Sequence, residues 1–299
     1  MARNTYESPF NARYASSEML ELFSPDTKFK TWRILWIALA EAEKELGLNI
    51  TDEQIAELKA FKDDINYETA EKFEKETRHD VMSHVHAYGA QCEKAKGIIH
   101  LGATSCYVGD NTDVIIYSNA LKLIKSKVLS VLSKLSRFAE KYKDMPTLGF
   151  THYQPAQLVT VGKRACLWIQ DLLLDVEELD FVLSTLRLLG SKGTTGTQAS
   201  FLDLFDGNHE KVKLLEKLIA QKIGFENVMP VSGQTYTRKQ DSRIVNALSS
   251  VAQSCYKFSN DMRLLANLKE LEEPFEKKQI GSSAMAYKRN PMRCERISS

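Results

Sequence analysis

Residues 281–291 bring two hydroxyls, an ammonium, a guanidinium and an amide into one short stretch: Ser282, Ser283, Lys288, Arg289 and Asn290, after a flexible start at Gly281. Such a set of donors suits a carboxylate, although the same composition also describes a solvated loop between helices. Proton donation near neutrality is the natural work of histidine, and two histidines stand in polar surroundings. His152 lies in Thr151-His152-Tyr153-Gln154-Pro155-Ala156-Gln157, and His79 lies in Arg78-His79-Asp80. Taken alone, His152 reads as a helix-end side chain satisfied by a backbone carbonyl, and the charges around His79 read equally well as a capped helix end. His84 and His86 are two positions apart, on roughly opposite sides of a helix, and are read as structural. A metal site on that pair lacks an accompanying carboxylate or cysteine cluster.

The elements that must position these residues are set by where the helix breakers fall. Glycine and proline are absent from 110–145, 163–189 and 234–273. Apolar residues recur there at helical spacing, as in Leu121, Ile124, Val128, Leu132 and Leu135, so three long helices are predicted. At about 1.5 Å per residue each reaches roughly 40 to 55 Å, a length suited to a bundle. The first hundred residues carry shorter helices: Ser24-Pro25 opens one with a stripe at Trp32, Leu35, Trp36 and Leu39 that Gly47 caps, and Thr51 with Gln54 forms a capping box for the next. The expected fold is all-α, with a small helical domain over 1–104 and a long-helix bundle domain over 105–299. The polar clusters at 97–111, 146–157, 190–198 and 274–291 are predicted to be loops at the bundle ends, where sites are usually built. The glycine-rich 193–198 stretch does not follow the phosphate-cradling glycine–lysine pattern and reads as a mobile loop or a turn. Trp32, Trp36, Tyr107 and Trp168 read as core or interface aromatics.

The totals exclude several classes. Forty basic against thirty-nine acidic residues give a formal charge of +1, so no global field argues for nucleic acid or an anionic membrane surface. No apolar run approaches the length of a bilayer span, and the polar N-terminus lacks a signal-peptide core, so a cytoplasmic location is expected. Five cysteines, never spaced CxxC, argue against a disulfide framework or a zinc site.

The order of residues in 281–291 resembles the signature of the fumarase/aspartase superfamily. Tyr287-Lys288-Arg289-Asn290-Pro291, preceded by Glu272-Glu273-Pro274-Phe275-Glu276-Lys277, is similar to its adenylosuccinate lyase branch. Three further segments match in the same order: Arg78-His79-Asp80 with the histidines behind it, Gly102 through Asn111, and 151–157.

That resemblance implies an elimination in which a base removes a proton beside a carboxylate, charge builds on that carboxylate, and a C–N bond to the purine amine breaks, releasing fumarate. By resemblance Ser282 is the base, Lys288 and Asn290 supply donors that activate it and stabilise the carbanion, His152 is the general acid, and Glu295 orients that histidine. His79 is implied as a second substrate-site histidine, flanked by Arg78 and Asp80. Arg13 and Tyr14 are implied contacts to phosphate and base. Thr104, Ser105 and Thr151 are implied carboxylate contacts, Gln234 an amide contact and Arg296 a phosphate contact. No metal, nucleotide cofactor or redox centre is expected. The partners implied are small-molecule nucleotide substrates and other copies of the chain, in a homotetramer whose sites draw on three subunits. Ala286 departs from a proline common in relatives. In the family the bundle continues beyond the position of Ser299 and a third helical domain follows, so the 299-residue chain is expected to be truncated and inactive or nearly so alone. The rival readings are another lyase of the superfamily, such as argininosuccinate lyase, and a non-catalytic fragment or structural relative.

Overall fold

Short polar side chains start the helices in the computed structural model, which describes residues 6–299. The chain begins with a π-helical turn at Phe10–Tyr14 and a short helix α1 (Ser17–Leu22). Ser24 then caps α2 (Pro25–Glu45) by accepting from the Thr27 amide, with Pro25 in the first turn, where its missing N–H costs nothing. Thr51 and Gln54 form the expected reciprocal capping box of α3 (Asp52–Ala60), at 3.2 and 3.0 Å. Two further helices, α4 (Tyr67–Thr77) and α5 (Asp80–Gln91), meet at Arg78 and His79.

The glycine- and proline-free stretches form the three long helices predicted: α6 (Ser105–Lys141), α7 (Val161–Thr185) and α10 (Lys239–Asn267). Between α7 and α10 lie α8 (Ala199–Leu204) and α9 (His209–Lys222), and α11 (Met292–Ser298) closes the sequence. The structure is mostly helical, as the periodicity demands.

Two expectations are corrected. The 146–157 cluster is not an irregular loop: β1 (Pro146–Thr151) and β2 (Gln154–Thr160) pair as an antiparallel hairpin. The 97–111 cluster is not a loop throughout, because α6 begins at Ser105, which puts Asp110 and Asn111 on rigid helix.

The chain divides into two compact units, each built from two segments. The first runs through Leu123 and resumes over Thr185–Arg238; the sequence boundary at about residue 104 falls within it, at the start of α6. Its core is organised by the predicted α2 stripe, with Trp32, Leu35, Trp36 and Leu39 all buried and packed with Tyr88, Tyr107, Phe201 and Leu215. His84 belongs to this core, stacked on Phe29 at 3.8 Å, and burial lowers its pKa to about 4, so it is a neutral packing group. The second unit comprises Ile124–Ser184 and Lys239–Ser299. There α7 and α10 run antiparallel, tied by Trp168 Nε1 to Asp261 (2.8 Å), Lys257 to Asp171 (2.6 Å) and Ser250 to Asp175 (2.6 Å). Apolar side chains from α6, α7 and α10 fill the space between them, with Trp168, Ala165, Ala139 and Leu265 in one cluster and Val128, Leu132 and Leu172 in the next.

Candidate active site

In the first unit, His79 occupies the N-cap of α5 in extended conformation, its Nδ1 accepting from the Met82 amide at 3.3 Å. A ring nitrogen that accepts from an amide carries no proton, so the ring proton lies on Nε2. That nitrogen is 3.3 Å from the Ser105 hydroxyl, at the first residue of α6. His79 is thus the helix cap that one sequence reading expected, with its second ring nitrogen turned to Ser105. Asp80 Oδ1 stands 3.7 Å from Nδ1, an ion pair only when the ring is charged. Arg78 is the C-cap of α4 in the left-handed region (φ 56°) and lines a shallow hollow with Glu71, Glu74 and Lys75. Gln234 Nε2 donates to Thr104 Oγ1 at 3.1 Å. The structure therefore brings His79, Thr104, Ser105 and Gln234 to the start of one helix. Arg13 and Tyr14 stand exposed on the N-terminal π turn.

The sequence reading passed over His100. His100 Nδ1 accepts from Trp36 Nε1 at 2.9 Å, and burial, with a smaller contribution from the neighbouring His79, lowers its pKa to about 4. This half-buried ring ties the segment four residues before Thr104 to Trp36 of α2. The signal available was its place directly before the Gly102–Asn111 motif.

In the second unit, the hairpin presents His152 and Tyr153 as its two turn residues, both at positive φ (53° and 59°). Two-residue hairpin turns of this kind prefer Asn-Gly, so two bulky side chains here hold a conformation costing on the order of 1–3 kcal/mol each. Both are exposed. Thr151, the last residue of β1, helps line a cleft of about 800 Å³ with Gln157, Arg164 and residues of α10.

The signature loop closes on itself. Asn290 Nδ2 donates to the Gly281 carbonyl at 2.8 Å, and a Cβ at Gly281 would lie 2.1 Å from the Lys288 carbonyl, so only glycine fits. Inside the closed loop, Ser282 Oγ accepts from the amides of Ala284 (3.4 Å) and Met285 (3.2 Å). Amides aimed at that oxygen favour its anionic form, which a hydroxyl base requires. Lys288 is exposed on the same loop.

The acidic lead-in that served as a family mark has a structural task. Glu273 accepts from the Arg293 (3.1 Å) and Cys294 (2.7 Å) amides at the start of α11, Glu272 pairs with Arg289 (3.4 Å), and Glu276 with Arg293 (3.1 Å). These contacts bind the loop at both ends, and sequence reasoning missed them. Glu295 and Arg296 follow on α11, exposed. Neither His152 nor Glu295 has a side-chain hydrogen bond among the described residues, so the orienting pair expected from the resemblance is not formed within one chain. No cluster of three or more metal-ligating side chains occurs among the described residues.

A mostly helical fold built on long helices of this kind is that of the fumarase/aspartase lyases. A family profile described as lyase matches residues 5–299, and the chain belongs to that family. It is 57% identical to the adenylosuccinate lyase of Schizosaccharomyces pombe over 99% of its own length and 62% of that relative's. Against the adenylosuccinate lyase of Saccharomyces cerevisiae it is 54% identical, again over 99% of this chain and 62% of the relative. The resemblance read from the motifs thus holds across nearly all of the sequence, while the chain spans about three-fifths of the length of the curated relatives it matches. Among solved structures, a 3-carboxy-cis,cis-muconate lactonizing enzyme from Pseudomonas putida superimposes with a TM-score of 0.83 at 25% identity, covering 97% of this chain and 64% of that one. No helix among the described residues is long and apolar enough to cross a membrane.

Proposed function

We propose that the protein to which this chain belongs is a cytoplasmic adenylosuccinate lyase of purine nucleotide biosynthesis, eliminating fumarate from adenylosuccinate to give AMP and from SAICAR to give AICAR. The observation that carries this reading is 57% identity, over 99% of the chain, to a relative of that name. The Ser282 oxygen takes the proton on the carbon next to a succinyl carboxylate. The electron pair left behind is stabilised through that carboxylate by the Lys288 ammonium and the free capacity of the Asn290 amide, then collapses into the new C=C bond as the C–N bond breaks. The pair from the broken bond goes to the purine nitrogen, which receives a proton from His152. Fumarate and the amine leave; Ser282 then gives up the proton it took to solvent, and His152 regains one from solvent. His79, Thr104, Ser105, Thr151 and Gln234 offer donors for carboxylates, and Arg13, Tyr14 and Arg296 serve the nucleotide.

The active assembly in this reading is a homotetramer whose sites draw on three subunits. Its support is the exposure of His152 and Glu295, which have no side-chain hydrogen bond among the described residues, together with exposed Leu173, Leu174 and Phe181 on α7 and Val245 and Tyr256 on α10. The test is a spectrophotometric assay of the natural full-length protein offered adenylosuccinate, argininosuccinate, malate and aspartate separately. Turnover of adenylosuccinate alone is expected; preference for argininosuccinate would move the protein to the rival branch.

A further inference from the structure

Asp110 is a buried carboxylate on α6, five residues beyond Ser105, roughly 7.5 Å along the helix axis. Buried charge must be paired, and both of its oxygens are. Oδ2 accepts from the Tyr236 amide at 2.8 Å, and Oδ1 accepts from Arg238 Nη2 at 3.0 Å, with the guanidinium lying over the Tyr236 ring at 4.3 Å. Two residues before Tyr236, Gln234 reaches Thr104. The segment 234–238 is therefore held to α6 at two places. Charge-assisted bonds inside the protein are roughly twice as strong as neutral ones, and the Gln234–Thr104 bond is neutral and exposed. The contact that sets the position of the segment is thus the one at Asp110. A second loop closes on the same segment: Gly196 has φ +80°, and a Cβ there would lie 1.9 Å from the Ser232 carbonyl oxygen.

We propose that Asp110 is a positioning residue for substrate binding, holding the 232–238 segment so that the Gln234 amide stands beside Thr104, with the close packing of Gly196 on Ser232 fixing the segment from its other side. The inference rests on the proposed lyase function for its kinetic readout and on geometry alone for the clamp.

The experiment is a double-mutant cycle in the natural full-length protein with adenylosuccinate as substrate. Asp110→Ala and Gln234→Ala should each raise KM about tenfold with kcat changed by less than threefold, and the double variant should match Gln234→Ala alone, because Asp110 acts through that amide. Asp110→Asn, which keeps a carbonyl acceptor for the Tyr236 amide but loses the charge that Arg238 meets, should recover only part of the loss. A role in stability alone would lower the melting temperature and the active fraction, hence kcat, and leave KM in place. That result, or KM effects that multiply in the double variant, overturns the proposal. If Asp110→Ala does not fold, Gly196→Ala tests the same positioning, with the same rise in KM and the same lack of further effect on Gln234→Ala expected; an unchanged KM counts against it. Amide exchange needs no turnover, and the 232–238 segment should exchange faster in Asp110→Ala, or in Gly196→Ala if that is the variant that folds. An inactive wild type would remove the lyase reading, and unchanged exchange in that segment would remove the clamp.

Discussion

Glu43 on α2 should make the protein less stable as pH rises through neutrality. Its carboxyl group is fully buried, and neither oxygen has a hydrogen-bond partner among the described residues. Burial raises its pKa from 4.5 to about 9. Between those values the folded chain keeps a proton that the unfolded chain has released. Its contribution is therefore fully present below about pH 4.5, falls as pH rises, and levels off above about pH 9. At about 1.4 kcal/mol per pH unit, holding the neutral acid at pH 7 costs on the order of 3 kcal/mol. Glu43→Gln keeps the shape and removes the ionisation, while its extra unmet donor takes back about 1 kcal/mol. The variant of the natural full-length protein should melt higher than wild type by a margin worth about 2 kcal/mol at pH 7 and about 4 kcal/mol at pH 8, match it near about pH 5, and fall about 1 kcal/mol below it under about pH 4. Melting curves at half-unit pH intervals measure both. A gap that does not change with pH, or a variant less stable throughout, would show that Glu43 is charged and paired, refuting the reasoning.

Ser282→Ala should cut kcat more than tenfold while KM barely moves, since proton removal belongs to the transition state; steady-state kinetics on the full-length protein decide it, and a variant keeping over a tenth of wild-type turnover takes Ser282 out of the base role. His152→Ala should lose the acid group from the pH–rate profile, and an unchanged rate and profile would place the general acid elsewhere. Mixing inactive His152→Ala and Ser282→Ala proteins under subunit exchange should restore roughly a quarter of wild-type activity if the two residues reach each site from different chains. No recovery, with hybrid tetramers demonstrated by mass spectrometry, contradicts shared sites. Lys192 is the buried partner of Glu216 at 2.7 Å, and burial raises the Glu216 pKa against the pull of that ammonium. Lys192→Met should cost about 3–5 kcal/mol by stranding the carboxylate, read as a lowered melting temperature, and a loss under about 1 kcal/mol would mean that Glu216 finds other partners.

The long helices were legible because uninterrupted apolar spacing has few other outcomes: the breaker-free 163–189 became Val161–Thr185 almost unchanged. Caps at Ser24 and Thr51 were legible for a similar reason, since one local bond decides them. The hairpin was not. Its turn holds His152 and Tyr153 where local preference asks for Asn-Gly, and Pro155 in β2 reads as a breaker, so tertiary context overrides every local signal there. In the candidate site, residue types and motif order pointed to Ser282, Lys288 and His152. The groups that fix the neighbouring segments, Glu273 at the signature loop and Asp110 and Gly196 at 232–238, make contacts 20 to 128 positions along the chain or depend on close backbone approach, and neither leaves a periodic trace.

The first unit is completed only by its second segment. On α9, Lys222 bonds to Glu45 of α2 across 177 positions and lies 3.6 Å from Glu41. At about 5–20 residues per second, a ribosome takes roughly ten to thirty-five seconds to make that interval. Throughout it, the part of α2 that α9 covers has no native partner, while the hairpin and α7 emerge in between. Nascent chains stalled within that window should be held by ribosome-associated chaperones, and changes in α9 should act first on how much protein is made rather than on how well it works.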